Sequence, residues 1–193
     1  EAKRLLNRAR TICNGAILAD NRNIPSLKLE LLTELATDID SADARHSLWK
    51  QALDEGFRLL STASDPNFAI QLFRKVVDFS QDPYVFITAR EATSLIAHAK
   101  RSIDTLFPTL GPPYDAQLLA CKASLLRRMS RYQATRDAEQ QTGEAAIRCA
   151  KKACELLPQS WDNFLQLGLC HWHMAQYEKY DKPFHQRLEE AEA

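Results

Sequence analysis

The side chains best suited to chemistry are concentrated in the last third of the chain. Cys170–His173 holds one cysteine and two histidines within four residues, and Cys149, Cys154 and His185 lie nearby in sequence. Such side chains bind structural zinc when they recur at spacings such as C-x-x-C or H-x-x-x-H. Here the two histidines are two residues apart, so on a helix they point to different faces. The spacing therefore predicts no metal site.

A catalytic role is not indicated by these residues either. A cysteine and a histidine can form a nucleophile and its base, but that pair needs an oxyanion donor or a tight glycine-rich turn beside it, and the chain has neither motif. Gly111 is followed by two prolines and cannot form the phosphate-binding loop G-x-x-x-x-G-K-[ST]. We predict that the chain is not an enzyme and uses no cofactor.

A second group of candidate functional side chains is basic. Arg127, Arg128 and Arg131 follow one another at helical spacing, and Tyr132 comes next. Charged runs of this kind most often form a solvated helix face. The functional hypothesis is that they line a groove that captures an acidic peptide.

Composition limits the classes of partner. The chain has 193 residues, of which 45% are hydrophobic and 26% charged, as in a globular domain rather than a fibrous or membrane protein. Its 25 basic and 25 acidic residues cancel, which removes the overall attraction for DNA or RNA that nucleic-acid-binding proteins usually have. No apolar run approaches a membrane span. Nucleic acid and membrane are therefore not the expected partners.

The cysteines and the two ends of the chain give an expected setting. The count is odd, five in all, and they are scattered through apolar patterns, which favours reduced thiols in the cytoplasm or nucleus. No secretory signal precedes them. The sequence starts at Glu1 and stops inside a charged run ending at Ala193, so we expect a fragment of a longer protein.

Helical periodicity dominates the sequence, and no segment has the pattern of a strand. Apolar residues recur every three or four positions, and prolines or Asp-Pro pairs separate the runs. Asp65-Pro66 and Asp82-Pro83 are expected to start helices, and Pro108–Pro113 is the clearest break. The pattern predicts about nine helices, near 5–17, 25–35, 44–60, 66–77, 83–107, 113–131, 135–157, 160–175 and 182–193.

Two of the breaks are followed by the same feature. Gly168 lies ten residues after Pro158, and Ala123 lies ten residues after Pro113. A small residue at this position lets a neighbouring helix approach closely. The recurrence predicts that the second half is built from helix–turn–helix repeats.

Here the chain resembles the tetratricopeptide repeat family. The first-helix motif of that family corresponds to Phe164-x-x-Leu167-Gly168-x-x-His171, and its second-helix pattern to Ala146, Ala153 and Pro158. The resemblance covers 113–175. It departs from the family at His171, where an aromatic residue is usual, and at Lys122, where leucine is usual. Pro113 and Pro158 are also further apart than the family's period of about 34 residues, which an insertion around Ser130–Gly143 would explain.

The resemblance implies an all-α fold in which antiparallel helix pairs stack as an α-solenoid. We expect one domain over 1–193, with a less regular half at 1–107 and a repeat-like half at 113–193. The phase of the repeat is open in the first half, where armadillo- or HEAT-like repeats are alternatives.

The resemblance also implies a binding surface, because first helices of successive repeats line the concave face in this family. Carried over position by position, it places six residues on that face: Arg127, Arg128, Leu165, Leu169, Trp172 and His173. Their mixture suits an extended or helical peptide with apolar anchors and some acidic groups. The variety of this family that binds chaperone tails needs Lys and Asn where leucines stand here, so that ligand is disfavoured.

Three functions are consistent with these residues. The favoured one is a scaffold that binds another protein on a concave helical surface. The alternatives are a regulatory or sensor segment of a larger multidomain enzyme, such as a signalling ATPase, and a helical repeat that binds nucleic acid. The identity of the partner and the oligomeric state do not follow from the sequence.

Overall fold

The computed structural model describes residues 24–60, 65–82 and 87–178, and over these ranges the chain is helical without strands. The all-α prediction is confirmed for this part. The helices predicted near 5–17 and 182–193 lie outside the described residues. The seven helices within them are α1 (Ile24–Thr37), α2 (Ala42–Leu60), α3 (Pro66–Phe79), α4 (Ala89–Leu106), α5 (Pro112–Ser130), α6 (Arg136–Leu156) and α7 (Trp161–Glu178).

Local capping explains where several helices begin. The Asp65 side chain accepts a hydrogen bond from the amide of Asn67 at the start of α3, and Pro66 occupies the first turn, as its sequence predicts. Thr135 caps α6 in the same way through the amide of Ala138. Each cap satisfies one of the amides that has no partner in the first turn of a helix.

The helix predicted over 83–107 is not continuous, because residues 87 and 88 are not helical, and 83–86 lie outside the described residues. α4 begins at Ala89, where the Thr88 side chain accepts a hydrogen bond from the amide of Glu91. The Asp82 carboxylate is engaged elsewhere, because it accepts a hydrogen bond of 3.2 Å from Nε1 of Trp49 and lies 3.6 Å from Arg45. The Asp82 side chain, which the sequence pattern assigned to a helix cap, thus makes a tertiary contact.

The chain divides into two compact units, 1–87 and 88–193. The division comes earlier than the break at 108–113, where the sequence pattern separates the two halves. α4 packs against α5, so the proline-rich segment is a turn inside the second unit. The amphipathic pattern of α4 is therefore completed by α5.

In the described part of the first unit, three helices pack around aromatic residues. Phe68, Phe73 and Phe79 of α3 are 0–2% exposed. The Trp49 ring of α2 lies 5.7 Å from that of Phe79, centroid to centroid. A salt bridge of 2.6 Å from Lys28 to Glu55 joins α1 to α2 beside this core.

The helix directions in the second unit follow from individual contacts. Leu119 and Ala120 of α5 pack against Ala153 near the end of α6, while Arg131, just after α5, interacts with Glu139 near the start of α6. These two helices are therefore antiparallel.

Helix α7 packs on both of them. Ser124 and Ser130 of α5 reach Gln166 and His173 of α7 at 2.5 and 2.6 Å, in the same order along both helices. α7 is thus parallel to α5. It is antiparallel to α6, because the Asn163 side chain donates a hydrogen bond of 3.0 Å to the carbonyl of Ala153.

The long spacing between Pro113 and Pro158 does not come from an inserted loop. Residues 136–156 form one continuous helix of 21 residues that follows a helix of 19 residues. Gly143, which the expected insertion would contain, lies inside α6, where a Cβ atom would clash with Sδ of Met174. Its lack of a side chain lets α6 and α7 approach closely.

The helices combine apolar and charged positions along their length. None of the helices among 24–60, 65–82 and 87–178 is both long and apolar enough to cross a bilayer.

We expect Glu55→Gln to lower the free energy of unfolding by about 1 kcal/mol at pH 7. Hydrogen bonds from Arg58, opposed by burial and supported by Lys28, lower the pKa of Glu55 from 4.5 to about 2. A carboxylate whose pKa is lowered by folding stabilises the folded state at pH values above its ordinary pKa. This stabilisation is lost as the pH falls through the pKa of the folded state. The difference between wild type and variant should therefore shrink from pH 4.5 to pH 2 in urea unfolding. Glu30→Gln, at an exposed position of the same unit, is the control; a constant difference would contradict the assignment.

A pair of glycine variants tests the packing of α6 on α7. Gly168→Ala should raise the free energy of unfolding by about 0.5–1 kcal/mol, since a Cβ there meets nothing within 4 Å and alanine favours the helix. Gly143→Ala has the same helix preference but displaces Met174, so we expect it to be less stable than Gly168→Ala by at least about 1 kcal/mol. Equal stabilisation in thermal unfolding would show that the two helices are not in close contact at Gly143.

Candidate functional site

Three arginines meet at the end of α5, and we call them the arginine cluster: Arg127, Arg128 and Arg131. Positions 127 and 131 are one helical turn apart, so they share a face. Arg127 is 8% exposed, and the other two are half-buried. The predicted basic groove is thus a partly enclosed group of cations, not a solvated helix face.

Arg127 is the least solvated member of the cluster. Its Nε atom is buried and has no hydrogen-bond partner among the described residues. Burial lowers the pKa of Arg127, and the Cys170 thiol opposes this slightly. No carboxylate of the described part of the chain contributes to that balance. The charge is therefore held in the protein without an anionic neighbour there.

The other two arginines repel their neighbours. Burial, then repulsion from Arg131 and Arg127, lowers the pKa of Arg128 to about 10. Burial and repulsion from Arg127 also lower the pKa of Arg131, whereas Tyr132 and Glu139 act in the opposite direction. All three guanidinium groups remain charged at neutral pH. Three charged groups thus lie close together in sequence in a chain with no net charge.

His173 belongs to the packing between α5 and α7. It is 5% exposed, and its Nε2 atom lies 2.6 Å from Oγ of Ser130. The Ser130 hydroxyl donates its single proton to the carbonyl of Arg127 at 2.8 Å, so Nε2 is the donor to Ser130. The expected placement of His173 and Arg127 on an open face is therefore wrong, because neighbouring helices cover both.

The leucines and the tryptophan of the predicted surface are more accessible. Leu165 is 44% exposed and Trp172 is 56% exposed, while Leu169 is half-buried. Two further large residues of α7 join them, Trp161 at 74% and Phe164 at 49%. The sequence analysis matched Phe164 to the family motif without placing it on the binding face, and Trp161 was missed, although its spacing of four to Leu165 is a helical signal.

These residues form a stripe that we call the α7 apolar face: Trp161, Phe164, Leu165, Gly168 and Trp172. Positions 161, 165, 168 and 172 lie on one side of a helix. Gly168 is at its centre, with open space where a Cβ atom would be. Gly168, which was expected to admit a neighbouring helix, has no such neighbour among the described residues. Ala123, at the corresponding position of α5, is completely buried.

The cysteines and histidines that are close together in sequence near Cys170–His173 do not share one surface in the structure. Cys170 and His173 are buried and His171 is exposed, while His185 lies outside the described residues. No group of three or more potential metal ligands occurs in the described part of the chain. Burial raises the pKa of Cys170 to about 11, and burial also raises that of Cys149. Both thiols are therefore protonated and weakly nucleophilic at neutral pH.

The first unit contains a polar cleft of about 910 Å³ that no sequence motif predicts. Arg45 fastens one side of it by donating to the carbonyls of Ile39 and Thr37 and by pairing with Asp82. Burial raises the pKa of Asp78 in the wall, while Lys75 and Arg74 oppose this. The lining mixes acidic and basic groups, and we assign it a structural role. Only the tertiary packing of α1, α2 and α3 brings these side chains together.

Comparison of the chain with models of protein families, with curated proteins and with solved structures finds no match. The functional assignment therefore rests on the arginine cluster and the α7 apolar face.

Ser130→Ala should lower the free energy of unfolding by about 1–2 kcal/mol, because it removes the acceptor for the buried Nε2–H of His173. Ser102→Ala is the matched control, since that hydroxyl bonds the carbonyl of His98 in its own helix and no other helix. The control should change stability by less than about 0.5 kcal/mol in urea unfolding. Equal effects of the two variants would mean that the contact between Ser130 and His173 does not hold α5 and α7 together.

Proposed function

We propose that this chain is a protein-interaction module, not an enzyme, and that its α7 apolar face binds an amphipathic helix of a partner protein. The observation that carries the proposal is the exposure of Trp161, Phe164, Leu165 and Trp172 along one side of a single helix. The partner helix bears apolar residues on one side and acidic residues beside them.

The energy available on this face is enough for specific binding. Covering a large apolar side chain contributes about 1.5–3 kcal/mol, and four such side chains are 44–74% exposed. Tryptophan is enriched among the residues that contribute most to protein interfaces, and Trp161 and Trp172 stand at the two ends of the stripe. Because the face is on a preformed helix, binding needs little ordering of this chain.

Gly168 supports a helix as the bound element. Glycine inside a helix costs about 1 kcal/mol relative to alanine, and here no internal contact offsets that cost. Within the same unit, Gly143 provides space for Met174 where α6 and α7 meet. By analogy, Gly168 provides space for a side chain of a helix packed against the outer side of α7, where small residues reduce the distance between axes.

Charge supports the acidic part of the partner. The arginine cluster lies at the end of α5, and α5 packs directly on α7. A group of arginines on the helix that packs against α7 favours acidic groups in the partner, and such charges accelerate encounter more than they add affinity. A nucleic-acid partner is disfavoured by the balance of acidic and basic residues over the whole chain.

The helical order within 112–178 agrees with a tetratricopeptide-like repeat. α5 and α7 are parallel, α6 is antiparallel to both, and α7 packs on both preceding helices. We propose that α5 and α6 form one repeat and that α7 begins the next, in an α-solenoid of antiparallel helix pairs. Cys149, Cys154 and Cys170 are free thiols, as is typical of the cytoplasm or nucleus, where we place the protein.

Gly168→Leu should separate binding from folding. We expect it to leave the chain as stable as wild type or more so, because leucine favours the helix and the space at its Cβ position is open. It should nevertheless weaken partner binding at least about tenfold by blocking close approach. Gln141→Leu places the same side chain at an exposed position of α6 outside the face and should leave binding unchanged.

The partner segment is identified by replacing Trp172 with a photo-crosslinking amino acid in native cells and sequencing the linked peptide. That segment, synthesised as a peptide, is then titrated against wild type, Gly168→Leu and Gln141→Leu. An amphipathic acidic helix that loses affinity only for Gly168→Leu supports the proposal. A crosslink to residues 179–193 of the same chain, or to a second copy, would overturn it.

A further inference from the structure

We propose that Arg127 determines which partner is accepted, because its guanidinium group binds the carboxylate of one glutamate on the helix that packs against the α7 apolar face. This inference rests on the proposed function and adds to it one required side chain of the partner. It depends on Arg127 alone, and not on the charges of Arg128 and Arg131.

Arg127 is enclosed in the protein without a partner for its charge. The residue is 8% exposed, its Nε atom has no hydrogen-bond partner among the described residues, and no carboxylate there offsets its charge. Arginine is almost never buried unless it is paired, since a charge removed from water destabilises the fold. An anion from outside the described chain therefore completes this arrangement.

The helix dipole does not explain the burial of this side chain. Cations are favoured in the last turn of a helix, and Arg127 is in the last turn of α5. That attraction is equally available to an arginine whose side chain lies in water. It gives no reason to bury the Nε atom of Arg127 without an acceptor.

The far end of the Arg127 side chain can be reached by a ligand. Of its three guanidinium nitrogens, only Nε is buried without a hydrogen bond, so the two terminal nitrogens are the accessible ones. Their N–H bonds are parallel donors that match the two oxygens of a carboxylate, and charge strengthens both hydrogen bonds. One carboxylate is therefore sufficient to pair with Arg127.

Contacts between α5 and α7 fix the position of Arg127 along α7. Ser124, three residues before it, lies 2.5 Å from the side chain of Gln166, and Ser130, three residues after it, lies 2.6 Å from that of His173. The two helices are parallel. Position 127 is therefore level with the part of α7 between Gln166 and His173.

Leu169 lies in that part of α7 and is next to the α7 apolar face. It is half-buried, four residues after Leu165 and three before Trp172, so it borders both of them on the helix surface. It is also three residues from Gln166 and four from His173, which contact α5. Leu169 thus separates the apolar face from α5, and a partner side chain must cross it to reach the arginine. Glutamate, which is longer than aspartate, suits this distance.

The pairing gives selectivity as well as affinity. A partner helix with an uncharged side chain at this position covers the α7 apolar face but leaves the Arg127 charge unpaired and further removed from water. That penalty discriminates against the wrong partner. For the correct partner, enclosure strengthens the hydrogen bonds because water competes less for the donors.

The first test measures stability without a partner. Arg127→Met keeps an unbranched stem and a similar helix preference but removes the charge. We expect its thermal unfolding midpoint to be higher than that of wild type, because an unpaired buried charge is gone. A lower midpoint would mean that the arginine holds the fold together, and would overturn the inference. Arg148→Met, whose side chain is 69% exposed and pairs with Glu144, is the matched control and should leave the midpoint unchanged.

The second test uses the synthetic peptide that spans the segment crosslinked at position 172. Each acidic residue of the peptide is replaced in turn by its amide, and binding is measured by calorimetry. One Glu→Gln replacement should weaken binding to wild type at least about tenfold, but binding to Arg127→Met less than about twofold. Arg148→Met should give the wild-type pattern. Because this scan changes the peptide, the measurement on wild type remains valid even if Arg127→Met does not fold.

The outcomes separate this inference from the proposed function. A peptide that binds less tightly to Gly168→Leu, but whose affinity for wild type changes with no acid replacement, leaves the proposed function intact and overturns the role of Arg127. An acid replacement that weakens binding to wild type and to Arg127→Met equally also overturns it, since the carboxylate then contacts another residue. A peptide that does not bind wild type overturns both proposals.

Discussion

The second unit depends on the small side chains where α5, α6 and α7 meet. Ala123, Ala146, Ala150 and Ala153 are completely buried. Small residues let the helix axes approach, so that larger side chains of one helix fit between the turns of the next and dispersion contacts accumulate. Three of these alanines recur along one side of α6, which therefore faces α5 along much of its length. The close contact of the three helices determines what is left accessible.

Enclosure of α5 has an electrostatic consequence. Once α6 and α7 cover this helix, its polar residues must find partners inside the unit, and Ser124 and Ser130 do so with α7. The arginines at its end are carried into the same environment. Removal from water weakens their solvation and strengthens their repulsion, so a run that would be ordinary on a solvated helix becomes a partly enclosed group of cations. The binding potential of this region thus follows from packing.

Particular residues show how far local patterns predict the fold. Asp65 and Pro66 start a helix because capping needs only the amides of the next turn. Asp82 and Pro83 have the same pair of residue types, yet Asp82 binds Trp49 and Arg45, which are more than 30 residues away in sequence. Capping is short-range and can be predicted from the sequence, whereas competition from a tertiary partner cannot. Gly143 is a similar case, because it has the composition of a break and serves as a packing contact.

Local patterns in the chain suffice to predict that the described part is helical, where most helices lie, and that Arg127, Trp172 and Gly168 lie in a candidate binding region. The burial of Arg127 and His173, the exposure of Trp161 and Phe164, and the place of α4 in the second unit follow instead from tertiary packing. The physical reason is that helical periodicity specifies which residues share a face. Whether that face meets water or another helix depends on contacts between residues far apart in the chain.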